Sequence, residues 1–310
     1  MLKNYYRNKR VLITGSNGFI GKHLVKRLMK DGAKTYGISR SGKGRHTSQL
    51  DILNRSALSR FIREKKIEIC FHLAGESLVE SGQSKPHTTF RTNINGVLNI
   101  LEEARIKNFE KIIIASTSHV YGKNNVPYYE GYTPRPSRPY ETSKACNDLI
   151  ALSYADTFNL PVVIPRFVNI YGPGDVNFNR IIPKTIRALL SDKCPTMWGG
   201  DSIREYLFID DAIEAYLSVG RAKIDRISGN RIFNFGSGNR ISVENLIQRL
   251  IVISKKDLTI KKIHEKRKSE ISVQYVSWSK ANKQLRWRPR IDIDTGLTMS
   301  MKWYSEYFKS

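Results

Sequence analysis

Cysteine is scarce in this chain: three residues among 310, namely Cys70, Cys146 and Cys194. They are too few and too scattered for a disulfide framework or a zinc site, and we expect no bound metal. Cys70 lies in the apolar run IEICFHLAG, where a buried small hydrophobic side chain is the simpler interpretation.

Long apolar runs are also absent. No stretch reaches the roughly 18 apolar residues that a transmembrane helix needs. The N-terminal MLKNYYRNKR is basic but leads directly into VLITG, without the apolar region and cleavage site of a signal peptide. We therefore expect a cytoplasmic protein without a membrane span.

Acidic residues are few, with 28 Asp and Glu against 52 Lys and Arg, so the formal net charge is +24. Such a charge attracts phosphate groups, including those of nucleic acids. The basic residues are nevertheless spread along the whole chain, and the densest run, residues 255–270, also carries acids and is typical of a solvated surface. Without a nucleic-acid-binding motif, we expect no nucleic-acid partner.

The first half of the chain alternates short apolar runs with segments of helical spacing. Strands are predicted at 9–15, 33–40, 67–75, 111–117 and 160–168, and helices at 19–32, 53–66, 92–108 and 139–159. This alternation predicts βαβ units and hence an α/β fold with a Rossmann-type, doubly wound parallel sheet.

The alternation of predicted strands and helices becomes less regular after about residue 170. We predict helices at 181–191 and 242–254, a strand followed by a helix over 204–221, and a strand and turn at 231–238. The predicted domains are a dinucleotide-binding domain over 1–168, with a return segment near 204–236, and a smaller substrate-binding lobe over 169–310.

A glycine-rich turn, TGSNGFIG, joins the first predicted strand to the first helix. Its glycines, Gly15, Gly18 and Gly21, permit a tight turn and a close approach of backbone to a pyrophosphate. The following helix N-terminus offers N–H groups and partial positive charge to phosphate. A turn without function is the alternative, but its place after the first strand of a βαβ series favours dinucleotide binding.

The second strand ends in GISRSGKGR, where an acidic residue would bind the adenine ribose hydroxyls of NAD. Ser39 and Arg40 stand there instead, and Arg40, helped by Arg45, can pair with a 2′-phosphate. This favours NADP over NAD, unless Arg40 only stacks on the adenine. Asp51 is placed to bind the adenine edge or to cap a helix.

Tyr140 and Lys144 are four residues apart in YETSK, so one face of a helix carries both. A nearby ammonium group and an oxidised nicotinamide would bring the pKa of the tyrosine toward neutrality. The phenolate could then exchange a proton with a carbinol during hydride transfer. Thr117, at the end of a predicted strand, would bind the same oxygen.

Six stretches resemble the extended short-chain dehydrogenase/reductase family over nearly the whole chain: TGSNGFIG, HLAG (72–75), STSHVYG (116–122), YETSK, PRFVNIYGPGD (165–175) and REYLFIDDA (204–212). The chain is more narrowly similar to the NAD(P)-dependent nucleotide-sugar epimerases and 4,6-dehydratases. Residues 140–190 especially resemble CDP-glucose 4,6-dehydratases.

The resemblance implies a catalytic triad of Thr117, Tyr140 and Lys144, a nucleotide-diphospho sugar substrate and a homodimer formed through the long helices, with Leu149 and Leu152 on the apolar faces. Implied cofactor contacts are Gly15, Asn17, Gly18, Phe19, Ile20, Ser39, Arg40, Asp51, Ile52, Leu73, Ala74, Gly75, Asn93, Tyr140 and Lys144. Implied substrate contacts are Asn169, Asn179, Arg180 and Arg204. Surface salt bridges are the alternative for the two arginines.

The residues after Thr117 distinguish the reactions of the family. Many dehydratases have Asp-Glu or Asp-Lys there, whereas this chain has Ser118 and His119. An imidazole can accept a proton near neutral pH, so His119 could remove the C-5 proton of a 4-keto sugar, with Ser118 near C-6. Alternatively, His119 only shapes the pocket or donates a hydrogen bond to the substrate.

We therefore predict a nucleotide-sugar 4,6-dehydratase in surface-polysaccharide or deoxysugar synthesis. A 4-epimerase and an NADPH-dependent 4-ketoreductase are the alternatives. A non-catalytic protein that kept the fold is disfavoured because all three triad residues are present.

Overall fold

The computed structural model describes residues 4–44, 46–77, 79–198, 201–223, 231–263 and 271–309. Arg45, predicted to assist Arg40, and part of the basic run 255–270 lie outside these residues. Seven strands form the main path of an eight-stranded parallel sheet, in the order β11-β7-β5-β4-β1-β2-β3, and β6 pairs with β7. The strands are β1 (Arg10–Thr14), β2 (Lys34–Ser39), β3 (Thr47–Gln49), β4 (Ile69–His72), β5 (Lys111–Ile114), β6 (Ser116–Thr117), β7 (Val162–Phe167) and β11 (Ile232–Phe235).

Helices cover both faces of this sheet because its strands are apolar on both sides. In β1, Val11 and Ile13 belong to one buried cluster and Leu12 to the other. One face packs on α1 (Phe19–Lys30) and α7 (Ile209–Arg221). The other packs on α2 (Arg55–Lys65), α4 (Pro86–Lys107) and α5 (Pro139–Phe158). The predicted α/β Rossmann architecture is thus confirmed, and Cys70 is fully buried.

The remaining elements form a smaller lobe. A three-stranded sheet contains β8 (Asn169–Tyr171), β10 (Ile203–Phe208) and β12 (Arg240–Ser242), and β9 (Thr196–Trp198) pairs with β13 (Lys261–Ile263). Its helices are α6 (Ile181–Leu190), α8 (Val243–Ser254), α9 (Ser279–Leu285) and α10 (Ile293–Tyr307), and α3 (Val79–Ser84) lies in the first half of the chain. Strand β11 returns the chain to the large sheet; the domain boundaries stay a prediction.

Several elements differ from the sequence-based expectation. Helix α4 begins at Pro86 rather than at 92, since proline is well suited to a first helical turn. The predicted strand 111–117 is divided into β5 and β6, with Ala115 between them. The three-residue strands of the small lobe and helix α10 were not predicted, whereas the strand and helix predicted over 204–221 correspond to β10 and α7. Within the described ranges, no helix is long and apolar enough to cross a membrane.

Candidate active site

A cavity of about 750 Å³ lies at the carboxyl ends of the large sheet, between it and the small lobe. Parallel α/β sheets bind their ligands outside the carboxyl ends of their strands, at the point where the strand order reverses. In this sheet that point lies between β1 and β4. Most residues predicted for the site line it: Gly15, Gly18, Phe19, Ile20, Ser39, Arg40, Asp51, Ile52, Leu73, Ala74, Gly75, Thr117, His119, Tyr140, Lys144, Asn169, Asn179, Arg180 and Arg204. Asn17, Asn93 and Ser118 do not.

The glycine-rich turn forms a cradle that side chains would fill. A Cβ on Gly15, whose φ is +70°, would lie 2.9 Å from the backbone nitrogen of Ala74, and one on Gly21 would lie 2.3 Å from the Gly15 carbonyl oxygen. Helix α1 has Gly18 as its N-cap, without a side-chain cap, and no acid in its first turn. The first N–H groups therefore suit an incoming phosphate, and the cradle fits a dinucleotide.

Asn17 and Asn93 support the cavity wall from behind. The Asn17 side chain donates hydrogen bonds to the hydroxyls of Ser39 and Ser41, each at 3.0 Å, and so holds the turn after β2. Asn93 is buried; it accepts a hydrogen bond from the Glu76 N–H at 2.8 Å and donates one to the Ser143 hydroxyl at 2.8 Å. Both side chains thus hold loops that face the cavity, and their direct contact with a dinucleotide stays a prediction.

Arg40 and Asp51, predicted to bind the adenosine part of the cofactor, both line the cavity. The Arg40 side chain is 67% exposed and pairs with Glu76 at 3.2 Å. Glu76 lines the cavity but was not predicted as a site residue. Asp51 accepts a hydrogen bond from the Leu53 N–H at 2.9 Å, while the cap of α2 is Asn54. The capping alternative for Asp51 is thus wrong.

Strand β6 and helix α5 bring Thr117, Tyr140 and Lys144 to one part of the cavity. The Lys144 ammonium donates to the Ala115 carbonyl oxygen at 3.0 Å, across the gap between β5 and β6. Desolvation by burial lowers the pKa of Lys144 to about 8, although the charge of Asp148 opposes this shift. A lysine held in this way can carry or release its proton near neutral pH.

In the polypeptide alone, burial raises the pKa of Tyr140 to about 12, although Arg180 and a hydrogen bond with Thr117 act in the opposite direction. The sequence-based expectation of a pKa near neutrality depends on the positive charge of an oxidised nicotinamide. Burial therefore keeps the phenol protonated until such a charge adjoins it.

Ser118 and His119 begin a short 3₁₀ turn, Ser118–Tyr121, and they point in different directions. Ser118 is buried away from the cavity, whereas the His119 side chain lines it. Ser118 thus does not line the cavity, and its placement near C-6 of a substrate stays a prediction. Thr117 caps the turn by accepting a hydrogen bond from the backbone N–H of His119 at 3.3 Å, which ties the backbone of the turn to the threonine side chain.

Glu141 is a cavity residue that the sequence-based prediction missed. Its carboxylate oxygen lies 3.6 Å from Nδ1 of His119, and its side chain is 3% exposed. The sequence YETSK contained a signal for it, since Glu141 is an acidic residue directly after the predicted catalytic Tyr140, in the first turn of α5.

The small lobe supplies basic groups to the far end of the cavity. Arg180 pairs with buried Asp175 at 3.0 Å, and the Arg204 guanidinium donates to the carbonyl oxygens of Ile203 and Ser272 at 3.0 and 3.2 Å. Both arginines also line the cavity. Lys184 lies 3.8 Å from the centre of the Trp198 ring, and neither residue was predicted.

A Rossmann sheet with a glycine cradle at its carboxyl edge defines the broad class of dinucleotide-binding α/β enzymes. Within that class, the chain belongs to the NAD dependent epimerase/dehydratase family, which matches residues 11–236. It is a nucleotide-sugar epimerase/dehydratase of the extended short-chain dehydrogenase/reductase type, as the resemblance implied.

Similar proteins cover almost the whole chain. The UDP-N-acetyl-alpha-D-glucosaminuronate decarboxylase of Bacillus cytotoxicus is 29% identical over 96% of this chain and 98% of its own. The dTDP-D-glucose 4,6-dehydratase of Homo sapiens is 28% identical over 97% and 91%. The UDP-glucose 4-epimerase of Thermotoga maritima, solved with UDP-glucose, is 25% identical with a TM-score of 0.89 over 96% and 99%.

A second solved structure contains the cofactor. It is the UDP-glucuronic acid 4-epimerase of Bacillus cereus in complex with UDP-glucuronic acid and NAD, 25% identical with a TM-score of 0.86 over 96% and 99%. The family and the fold predicted from sequence are confirmed, and the family is NAD-dependent.

The substitution Gly21→Ala tests the cradle. The added Cβ would meet the Gly15 carbonyl oxygen at 2.3 Å, so the turn must shift away from the position that receives phosphate. We expect dinucleotide affinity, measured by calorimetry, to fall at least about tenfold. Gly131→Ala is the matched control, since nothing lies within 4 Å of its Cβ position. Equal affinity in both variants would contradict the assignment.

Proposed function

We propose that this enzyme is a nucleotide-sugar 4,6-dehydratase. The observation that carries the proposal is the imidazole of His119 in the same cavity as Thr117, Tyr140 and Lys144. A 4-epimerase needs no further acid or base after oxidation at C-4, whereas a dehydratase must remove the C-5 proton. The names of the relatives, which act on UDP- and dTDP-linked sugars, support a nucleotide-diphospho sugar as substrate.

In the proposed reaction, Tyr140 accepts the proton of the C-4 hydroxyl while Thr117 holds the oxygen and Lys144 stabilises the phenolate. A dinucleotide held on the glycine cradle would supply the acceptor for the C-4 hydride and the hydride donor for C-6. The new ketone acidifies C-5, and His119 removes that proton as the C-6 hydroxyl takes up a proton and leaves as water. Over the whole reaction, the proton lost with the water balances the one that Tyr140 accepted from the C-4 hydroxyl. His119 then returns its proton to C-5, so one water is lost and the cofactor is restored.

Asn169, Asn179, Arg180 and Arg204 support the same proposal at the far end of the cavity. Two guanidinium groups there match the negative charge of a diphosphate. The salt bridge of Arg180 to Asp175 does not oppose this role, because the arginine side chain remains 33% exposed. The high net charge of the chain would also attract a dianionic substrate.

The direct test is incubation with CDP-, UDP-, GDP- and dTDP-hexoses, followed by mass spectrometry. We expect one of them to lose the mass of one water. His119→Ala should lower the dehydration rate by about 10²–10⁴-fold, the usual contribution of a general base, while oxidation at C-4 persists. A product of unchanged mass that NMR identifies as an epimer would refute the dehydratase, and unchanged dehydration by the variant would remove His119 from the mechanism.

We propose further that Arg40 allows the enzyme to use NADP. No acid follows β2, and Arg40, which is largely exposed, can exchange Glu76 for a 2′-phosphate. Arg40→Ala should then lower the affinity for NADP at least about tenfold and change the affinity for NAD little. Titration of the enzyme with each dinucleotide measures both affinities. Equal losses for the two cofactors would contradict this role.

We also propose a homodimer formed through the long helices. Leu149 on α5 is 60% exposed, whereas Leu152 is only partly exposed and packs against the core. An exposed leucine on a long helix suits a symmetric helix pair. Leu149→Lys should convert the dimer to a monomer in analytical ultracentrifugation. A monomeric wild-type protein, or a variant that remains dimeric, would contradict the proposal.

A further inference from the structure

The contact between His119 and Glu141 joins two consecutive elements across the loop that connects them. His119 belongs to the turn after β6, and Glu141 lies in the first turn of α5. Nδ1 of His119 faces a Glu141 oxygen at 3.6 Å, and both side chains line the cavity. This is slightly longer than a hydrogen bond, and such contacts commonly tighten when the substrate is bound.

Glu141 is ionised although its side chain is buried. Burial alone would raise its pKa, but the neighbouring imidazole of His119, the Ser137 N–H and the charge of Arg138 outweigh burial, and the pKa of Glu141 lies below its usual value. The Ser137 N–H donates to the second carboxylate oxygen at 3.2 Å. One oxygen is therefore held by backbone while the other faces the imidazole.

We propose that Glu141 is the positioning residue for His119 as the C-5 base, an assignment that rests on the dehydratase function proposed above. A carboxylate beside Nδ1 favours the tautomer with its proton on Nδ1, which leaves the lone pair on Nε2. Nε2 lies on the opposite edge of the ring, so that lone pair can receive the C-5 proton. The same carboxylate then stabilises the imidazolium until the proton returns to C-5.

A purely structural role for Glu141 is the competing explanation. An acid in the first turn of a helix stabilises that turn, and Glu141 also binds the Ser137 N–H. The two roles differ in what they affect. A weakened α5 terminus would displace Tyr140, the neighbouring residue, and slow oxidation at C-4. Loss of the positioning role would leave that oxidation intact and slow only the removal of the C-5 proton.

Glu141→Gln separates these roles, because glutamine keeps an oxygen for the Ser137 N–H and removes the negative charge. In rapid mixing with the nucleotide sugar that the wild-type enzyme dehydrates, the near-ultraviolet absorbance of the reduced dinucleotide reports each stage. We expect it to rise at the wild-type rate in the variant. Its decay, which requires prior removal of the C-5 proton, should slow by about tenfold to a hundredfold, part of the full contribution of a general base.

Three further variants sharpen the test. Glu141→Asp keeps the charge and should recover part of the decay rate. Combined with His119→Ala, Glu141→Gln should slow the decay no further, since a residue that acts through His119 has no effect without it. Asp210→Asn is the matched control: it removes an exposed first-turn acid from α7 and should change neither stage.

Equal slowing of rise and decay in Glu141→Gln, no slowing at all, or additive losses in the double variant would each overturn the assignment. Thermal unfolding of every variant checks that α5 remains formed. If wild-type enzyme removes water from no nucleotide sugar, the proposed function itself fails and the assignment fails with it. The wild-type measurement therefore distinguishes the two failures.

Discussion

A buried ion pair between Arg166 and Asp148 holds helix α5 against the sheet. Nε of Arg166, on β7, donates to Asp148, on α5, at 2.8 Å, and the two side chains are 2% and 1% exposed. The Tyr121 ring lies 4.7 Å from the guanidinium group, and its hydroxyl donates to Asn234 on β11. Loss of one partner in such a pair generally costs about 3–5 kcal/mol, so the two residues depend on each other.

The position of this pair explains the geometry of the cavity. Asp148 lies one helical turn after Lys144, which lies one turn after Tyr140, so the anchor fixes the face of α5 that carries both. The negative charge of Asp148 also favours the charged form of Lys144, against the effect of burial. Asp148 therefore both anchors α5 to the sheet and raises the pKa of Lys144.

The regular part of the fold was predictable because local sequence and tertiary structure agree there. Apolar strands buried on both faces and amphipathic helices repeat from β1 to β7, and the glycine turn requires a conformation that only glycine adopts easily. The three-residue strands of the small lobe have no such local signal, since their pairing depends on distant partners. Helix α10 did have a signal: Asp292 caps it, and Leu297, Met301 and Tyr304 form its buried face.

Within the site, sequence order located the residues but not the directions of their side chains. Ser118 and His119 are neighbours, yet one is buried and the other faces the cavity, because a 3₁₀ turn rotates successive residues by about a third of a circle. Asn17 and Asn93 belong to the expected motifs but hold loops instead of lining the cavity. Glu141 was missed because its contact with His119, 22 positions earlier in the chain, depends on tertiary structure.

The adjacency of Tyr140 and Glu141 has an evolutionary consequence. Successive residues of a helix point in directions about 100° apart, so one turn of α5 carries the tyrosine proposed for the oxidation and the glutamate beside His119. The negative charge of Glu141 raises the pKa of Tyr140, but this effect is smaller than that of burial, so the two positions can vary largely separately. A lineage could thus alter what becomes of the keto sugar by replacing residue 119 or 141, while inheriting the oxidation unchanged. New products would then arise by small steps from an enzyme that never loses its first reaction.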